Sequence, residues 1–234
     1  MTGRPQNELL QKLSTHDYEL LAAHFQSIDL AAGHILHHAG DSISVVHFPC
    51  GQAIASFAVA VEDDREVESL LVGREGAVGL PAGGGPSQAY ARIVVKVGGT
   101  VLRLPARALK QAQQRSTSLQ DLFARYAACQ LAQLLQTAAC NAAHSIEQRT
   151  AKWIIAAQEH IGGDEIPLTH EQLASMLGVS RSYASRVIQM LKARGILATR
   201  RGALLVLDGP ALSASACGCN GALKRHFGEV LSRR

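Results

Sequence analysis

Thirty residues, 168–197, constrain this chain more than any other stretch: LTHEQLASMLGVSRSYASRVIQMLKARGIL. Thr169, with Gln172 three places on, forms a capping box and predicts a helix start. Leu173, Met176 and Leu177 give that helix one apolar face, and Ala174 is small where a crossing helix needs room. Gly178 follows where the chain must turn sharply, since Gly alone takes positive φ without a steric cost. Ser180 can then cap a second helix whose buried face is Ala184, Val187, Ile188 and Leu191. Its other face shows Arg181, Ser182, Ser185 and Arg186, all able to hydrogen-bond base edges or phosphates. The pattern is a helix-turn-helix, with Thr169, Ser180, Arg181, Ser182, Ser185 and Arg186 as its candidate DNA-facing residues.

The surrounding charge agrees. No acidic residue lies between Glu171 and Asp208, while Arg181, Arg186, Lys192, Arg194, Arg200 and Arg201 all do. Residues 147–234 hold 12 Lys and Arg against 7 Asp and Glu, a net of +5, whereas residues 1–146 hold 11 against 12, a net of −1. A phosphate-facing module needs that asymmetry, because neutralising phosphates releases counterions and supplies sequence-independent affinity. After Gly195 the sequence reads as a wing. A strand begins at Ile196, Arg200-Arg201-Gly202 is a basic turn, and ALLVL is a short apolar run stopped by Asp208-Gly209-Pro210. Arg200 and Arg201 at its tip are expected to hold the DNA backbone and not to read bases.

Elsewhere the pattern changes twice. Residues 7–25 read as helical, through Leu9, Leu10, Leu13, Leu20 and Leu21. From Ile28 to Leu104 come short apolar runs about ten residues apart (HILHHAGD, VVHFPCG, AIASFAVAV, ESLLVG, ARIVVKVGG, TVLRLP), as in an antiparallel sandwich or small barrel. Glu62-Asp63-Asp64-Arg65 reads as a hairpin tip and Gly83-Gly84-Gly85-Pro86 as a loop within that domain. Residues 107–144 contain no Pro or Gly and are rich in Ala, Gln and Leu, which predicts one long helix. It carries two stripes: Leu119, Leu122, Tyr126 and Cys129, and Leu131, Leu135, Ala138 and Ala142. A homodimer seam is the preferred reading of so long an apolar helix; its packing wholly on its own sandwich is the alternative. A two-fold protein suits a palindromic operator. A further helix from about Ser145 to Ile161 carries Trp153 inward as a core residue.

Composition narrows the class. With 47% apolar and 18% charged residues the chain is globular, and 4% aromatics argue against a base-stacking surface for single strands. Met1 is followed by polar residues, no apolar run approaches a membrane span, and five scattered cysteines make no disulfide framework, so a cytoplasmic protein is expected. No Ser/His/Asp elbow, P-loop, dinucleotide fingerprint or cupin-like metal motif is present, so no enzyme is indicated. The competing reading is a β-roll small-molecule-binding protein or cupin-like enzyme whose helical end serves oligomerisation.

The order β-roll, long helix, winged helix-turn-helix, with LTHEQLASMLGVSRSYASRVIQMLKARGIL and LVGREGAVGL in place, resembles the Crp–Fnr family of bacterial transcription regulators. The resemblance implies an α+β fold: residues 1–105 as a cyclic-nucleotide-binding-like sensor, 106–145 as a dimerisation helix, and 146–234 as the winged helix. It implies a homodimer on double-stranded DNA, with RNA polymerase as a further partner. Arg181 and Arg186 match arginines that contact guanines and phosphates. Ser182 stands where many members have a base-reading glutamate, so a different operator is expected.

The sensor departs further. Cyclic-nucleotide-binding members carry a Gly-Glu pair and an Arg-Ser pair; the matching stretches here are Gly76-Ala77-Val78-Gly79 and Ser87-Gln88, without the glutamate or the arginine. A buried phosphate without a cation is poorly held, unless Arg74 or Arg92 compensates. The effector is therefore expected to be something other than a cyclic nucleotide, and no cofactor is identified. The first cysteine is Cys50, so the N-terminal cluster of the family's iron–sulfur members is missing. Cys217-Gly218-Cys219 supplies two thiols, with His226 as the one nearby third ligand, and reads as a local turn, not a metal site. His34, His37, His38 and His47 read as scattered histidines, His37 and His38 facing opposite ways on a strand.

Overall fold

In the computed structural model, which describes residues 4–62, 65–81 and 87–232, two short helices lead into a β-roll. They are α1 (Glu8–Gln11) and α2 (Thr15–Ala22), within the stretch 7–25 that the sequence reads as helical. The break falls at Ser14, which leaves helical geometry to accept the Asp17 N–H at 3.0 Å. Short polar side chains favour such caps over helix interiors.

Seven strands follow: β1 (Gln26–Leu30), β2 (Ile35–His37), β3 (Val45–Pro49), β4 (Ile54–Ala60), β5 (Glu66–Val72), β6 (Arg92–Val97) and β7 (Gly99–Pro105). They form an antiparallel three-stranded sheet, β1-β7-β3, and a four-stranded sheet, β2-β6-β4-β5. The apolar runs thus become strands as expected, and β4 and β5 pair antiparallel on either side of the acidic motif. Asp63 and Asp64 of that motif, and the loop Gly83-Gly84-Gly85-Pro86, lie outside the described residues. Glu68 of β5 is buried and reaches across β4 to an ion pair with Lys96 of β6.

Two helices, not one, come next: α3 (Ala106–Arg115) and α4 (Thr117–Ala143). Ser116 separates them in extended conformation (φ −142°, ψ 113°), with its hydroxyl accepting from Leu119 N at 3.2 Å and donating to Asp17 at 2.5 Å. A run without Pro or Gly still breaks where a serine caps better than it continues. The 27 residues of α4 span about 40 Å at ~1.5 Å per residue.

The first α4 stripe is buried on the chain's own roll: Leu119, Leu122, Tyr126 and Cys129 join Leu9, Phe48 and Leu104 in one core. That corrects its reading as part of a dimer seam. The second stripe stays uncovered, with Leu131 58% and Leu135 64% exposed and Ala138 and Ala142 beside them.

The C-terminal half has its own core. It comprises α5 (Ile146–Ile161), β8 (Glu165–Ile166), α6 (His170–Leu177), α7 (Arg181–Ala193), β9 (Leu197–Arg200), β10 (Ala203–Val206) and α8 (Gly209–Ser215). Trp153, Leu173, Val187, Ile188, Leu191 and Leu204 meet there, with Ile54, Leu71 and Val97 of the roll packed against them. The last helix, α9 (Cys219–Ser232), turns back along α4 and delivers Leu231 into the N-terminal core. Among the described residues no helix is long and apolar enough to cross a membrane.

Candidate nucleic-acid interface

Each local signal in residues 168–197 is realised. Thr169 accepts from Gln172 N at 3.1 Å while Gln172 accepts the Thr169 N–H at 2.8 Å, closing the capping box of α6. Gly178 ends α6 in left-handed geometry (φ 68°). A side chain there would be strained by that backbone conformation, although Val67 of β5, 3.4 Å from the Cβ position, would be in ordinary contact. Ser180 caps α7 by accepting from Tyr183 N at 3.3 Å. The buried face of α7 is Ala184, Val187, Ile188 and Leu191.

The outer face exposes Arg181, Ser182, Tyr183, Arg186 and Met190. Arg186 lies over the Tyr183 ring at 5.1 Å, a cation–π contact that holds the guanidinium against the helix. Tyr183 and Met190, 40% and 49% exposed, also belong to this surface, and neither carries a charge that would single it out in the sequence. Ser185 is half-buried and bonded to His170 Nδ1 at 2.9 Å, so it braces α7 against α6. Burial first, then the charges of Arg181 and Lys192, lower the His170 pKa. Thr169 and Ser180 act chiefly as caps. The exposed hydroxyl of Ser182 sits 3.1 Å from that of Ser180, beside the amide end of α7, where an anion is favoured.

The basic window is free of acids in sequence but not in space. Arg181 approaches Glu171 at 3.7 Å, Arg194 meets Glu147 at 2.5 Å, and Arg200 meets Glu165 at 2.9 Å. All three pairs are largely exposed, so salt and water screen them and a phosphate can compete for the arginine. Arg186 and Arg201 form no ion pair among the described residues. The wing forms as expected from β9 and β10, with Arg201-Gly202 at its turn and Gly202 at φ 75°. A third strand, β8, pairs with β10 and brings Glu165 over to Arg200. Asp208, read as a stop, also starts α8 by accepting from Ala211 N at 2.9 Å.

In the roll, the stretch Gly76-Ala77 is engaged by α4. The Tyr126 hydroxyl accepts from Ala77 N at 2.9 Å and donates to Ala77 O at 3.1 Å, and a Cβ on Gly76 would fall 2.0 Å from that oxygen. Arg74 is paired with Glu8 at 3.0 Å and Arg92 with Glu66. Between the sheets, a pocket of about 720 Å³ is lined by Asp29, His34, His37, Asp41, His47 and Arg103. Three histidines scattered in sequence therefore converge. The His37 and His47 rings sit 5.5 Å apart, and both residues are buried; His38, by contrast, is exposed.

Burial above all, with the charges of His37, Arg103 and His34, pushes the His47 pKa down to about 3 from 6.5. Between those values the unfolded chain binds the proton and the folded chain does not. Stability is therefore intact above pH 6.5 and falls as pH drops through that window. Wild type is expected to lose about 1.4 kcal/mol per pH unit more than His47→Gln in urea unfolding below pH 6.5. Parallel pH dependences would overturn the assignment.

Cys217 and Cys219 do not form the self-contained local turn expected from the sequence, and His226, the third ligand suggested there, is exposed and is not among the groups that converge with them. Both thiols instead lie against Cys140 and His144 at the end of α4. Sequence spacing offers one hint only: positions 140 and 144 are one helical turn apart.

The comparison with known families decides the nature of the exposed helix pair: residues 148–215 match the model of the Crp-like helix-turn-helix domain. The chain carries a Crp-like helix-turn-helix domain. Around that domain, the whole molecule has the fold of Crp/Fnr-type transcription regulators. A CRP-family transcriptional regulator from Thermus thermophilus is similar at 20% identity and TM-score 0.68, over 81% of this chain and 97% of that one. FixK2 from Bradyrhizobium japonicum is similar at 14% identity and TM-score 0.68, over 82% and 98%. The c-di-GMP responsive global regulator CLP of Xanthomonas campestris is similar at 18% identity and TM-score 0.65, over 83% and 100%. No curated protein matches the chain. The Crp-like domain and this fold favour a regulator over the β-roll enzyme.

Proposed function

We propose that the protein is a homodimeric, sequence-specific regulator of transcription that works in the cytoplasm and reads a palindromic operator with α7. The observation that carries this reading is the outer face of α7 on a Crp-like domain, where Arg186 is exposed, free of acidic partners among the described residues, and held over Tyr183. Arg181 and Ser182 lie at the helix N-terminus, where base edges are met, and Arg201 at the wing turn faces the backbone. Dimerisation is supported by the exposed Leu131, Leu135, Ala138 and Ala142 of α4. The boundaries 1–105, 106–145 and 146–234 serve as a division into sensor, dimerisation and DNA-binding parts. RNA polymerase is the further partner that the family resemblance implies.

Two features weigh against a cyclic-nucleotide effector. The Ala77 amide that a ligand on this stretch would use is bonded to Tyr126, and the two arginines able to compensate for a missing phosphate ligand are paired with glutamates. The pocket of His34, His37, His47 and Arg103 is the better candidate for a small molecule.

Selection from random DNA should return a palindromic site. Against it, Arg186→Ala is expected to lose about 1–3 kcal/mol and to relax specificity at one base. Arg201→Ala should weaken all sequences alike and flatten the salt dependence. Fluorescence anisotropy across a salt series reads both. Binding unaffected by Arg181→Ala and Arg186→Ala, or no selected site, would refute the assignment.

A further inference from the structure

At the joint between the two halves, Cys140 and His144 of α4, Cys217 after α8 and Cys219 at the start of α9 converge. Their ligand atoms all lie within 4.8 Å of one another, and the three cysteines are buried. Cys140 Sγ is 3.6 Å from Cys217 Sγ, and Cys219 Sγ is 3.7 Å from His144 Nδ1. A tetrahedral zinc ion with Zn–S about 2.3 Å and Zn–N about 2.0–2.1 Å sets its ligand atoms about 3.5–3.8 Å apart. These two of the six edges have that length. No disulfide joins these thiols.

The surroundings carry a second, independent sign. Lys152 and Arg149 are buried, 6% and 7% exposed, and neither forms an ion pair with a carboxylate among the described residues. Lys152 Nζ is 3.4 Å from Cys140 Sγ, while Arg149 donates to Leu177 O at 2.9 Å and its buried Nε has no hydrogen-bond partner among the described residues. Buried cations need compensation. A divalent ion held by three thiolates and one neutral imidazole carries a net charge of −1, which offsets one of these two positive charges. Gln136 Nε2 donates to Cys219 Sγ at 3.3 Å, the kind of outer contact that orients a metal ligand.

We propose that Cys140, His144, Cys217 and Cys219 form a structural site for a thiophilic divalent metal, with zinc as the natural occupant. The set is closed, since four protein ligands leave no open position for chemistry. It ties the last turn of α4 to the start of α9, so the metal fixes how the C-terminal half is seated on the long helix. The thiols release their protons on binding. The site is independent of the DNA-binding assignment.

The full chain, purified under reducing conditions without chelator, should contain one zinc per chain by elemental mass spectrometry. After stripping, cobalt(II) alone should give the intense visible bands of a tetrahedral thiolate complex, saturating at one equivalent and bleached by zinc. Cys140→Ser and Cys217→Ser should abolish the bands, His144→Asn should shift or weaken them, and Cys50→Ser with Cys129→Ser should leave them unchanged. Should a ligand variant misfold by circular dichroism, the wild-type chain decides alone: zinc should raise its Tm and a chelator reverse the rise. A wild-type chain with no tetrahedral cobalt spectrum overturns the site. So does a spectrum that survives in folded Cys217→Ser, or a freshly reduced chain that forms a Cys140–Cys217 disulfide in preference to holding zinc.

Discussion

Replacing Leu131 and Leu135 together by glutamate is expected to convert the protein to monomers and to lower operator affinity by about 10²–10⁴-fold. The two leucines are 58% and 64% exposed, one helical turn apart on α4, and flanked along the same face by Ala138 and Ala142. Small and branched apolar residues at this spacing suit a coiled-coil seam. Glutamates facing their own copies across the two-fold axis would repel, and each monomer would then bind one half-site without the help of the other. Because neither leucine contributes to the core of its own chain, the monomers should stay folded. Light scattering reads the mass and circular dichroism the fold; a variant that remains dimeric and binds its operator normally would remove α4 from the interface.

Lys96→Met is expected to destabilise the fold by about 3–5 kcal/mol in urea unfolding. The Glu68 side chain is fully buried and Lys96 is its ion-pair partner, with no hydrogen bond from the described residues satisfying the carboxylate besides. Removing the ammonium leaves a charge in the sheet interface with nothing to offset its lost hydration. The paired replacement of Glu68 by leucine and Lys96 by methionine should recover most of that loss, since it removes both desolvation penalties. A single variant as stable as wild type would mean that water or backbone already solvates Glu68.

What the sequence makes legible is local. The capping box at Thr169, the turn at Gly178 and the cap at Ser180 each depend on residues within four places of one another, and all appear as expected. The alternating apolar runs likewise carry their own strand signal. What stays hidden depends on contacts distant in sequence. Whether Leu119 or Leu131 faces the roll depends on how α4 docks, and both stripes have acceptable spacing. The neutralising glutamates at 147, 165 and 171 lie outside the basic window yet fold back to it. Cys140 and Cys217 are 77 positions apart, so their meeting follows only from α8 and α9 returning to α4. The break at Ser116 is the exception: its signal, the run Ser116-Thr117-Ser118, is local but is masked by the good helix formers around it.

The return of α9 has a consequence for cooperativity. Leu231, near the end of the chain, is buried beside Leu9 and Leu10, near its beginning. α9 therefore ties the C-terminal half back to the N-terminal core, in addition to the contact that Ile54, Leu71 and Val97 of the roll make with the C-terminal core. Fraying of α9 would expose apolar surface of the N-terminal core, so a single unfolding transition is expected for both halves in calorimetry, and two separate transitions would refute that coupling.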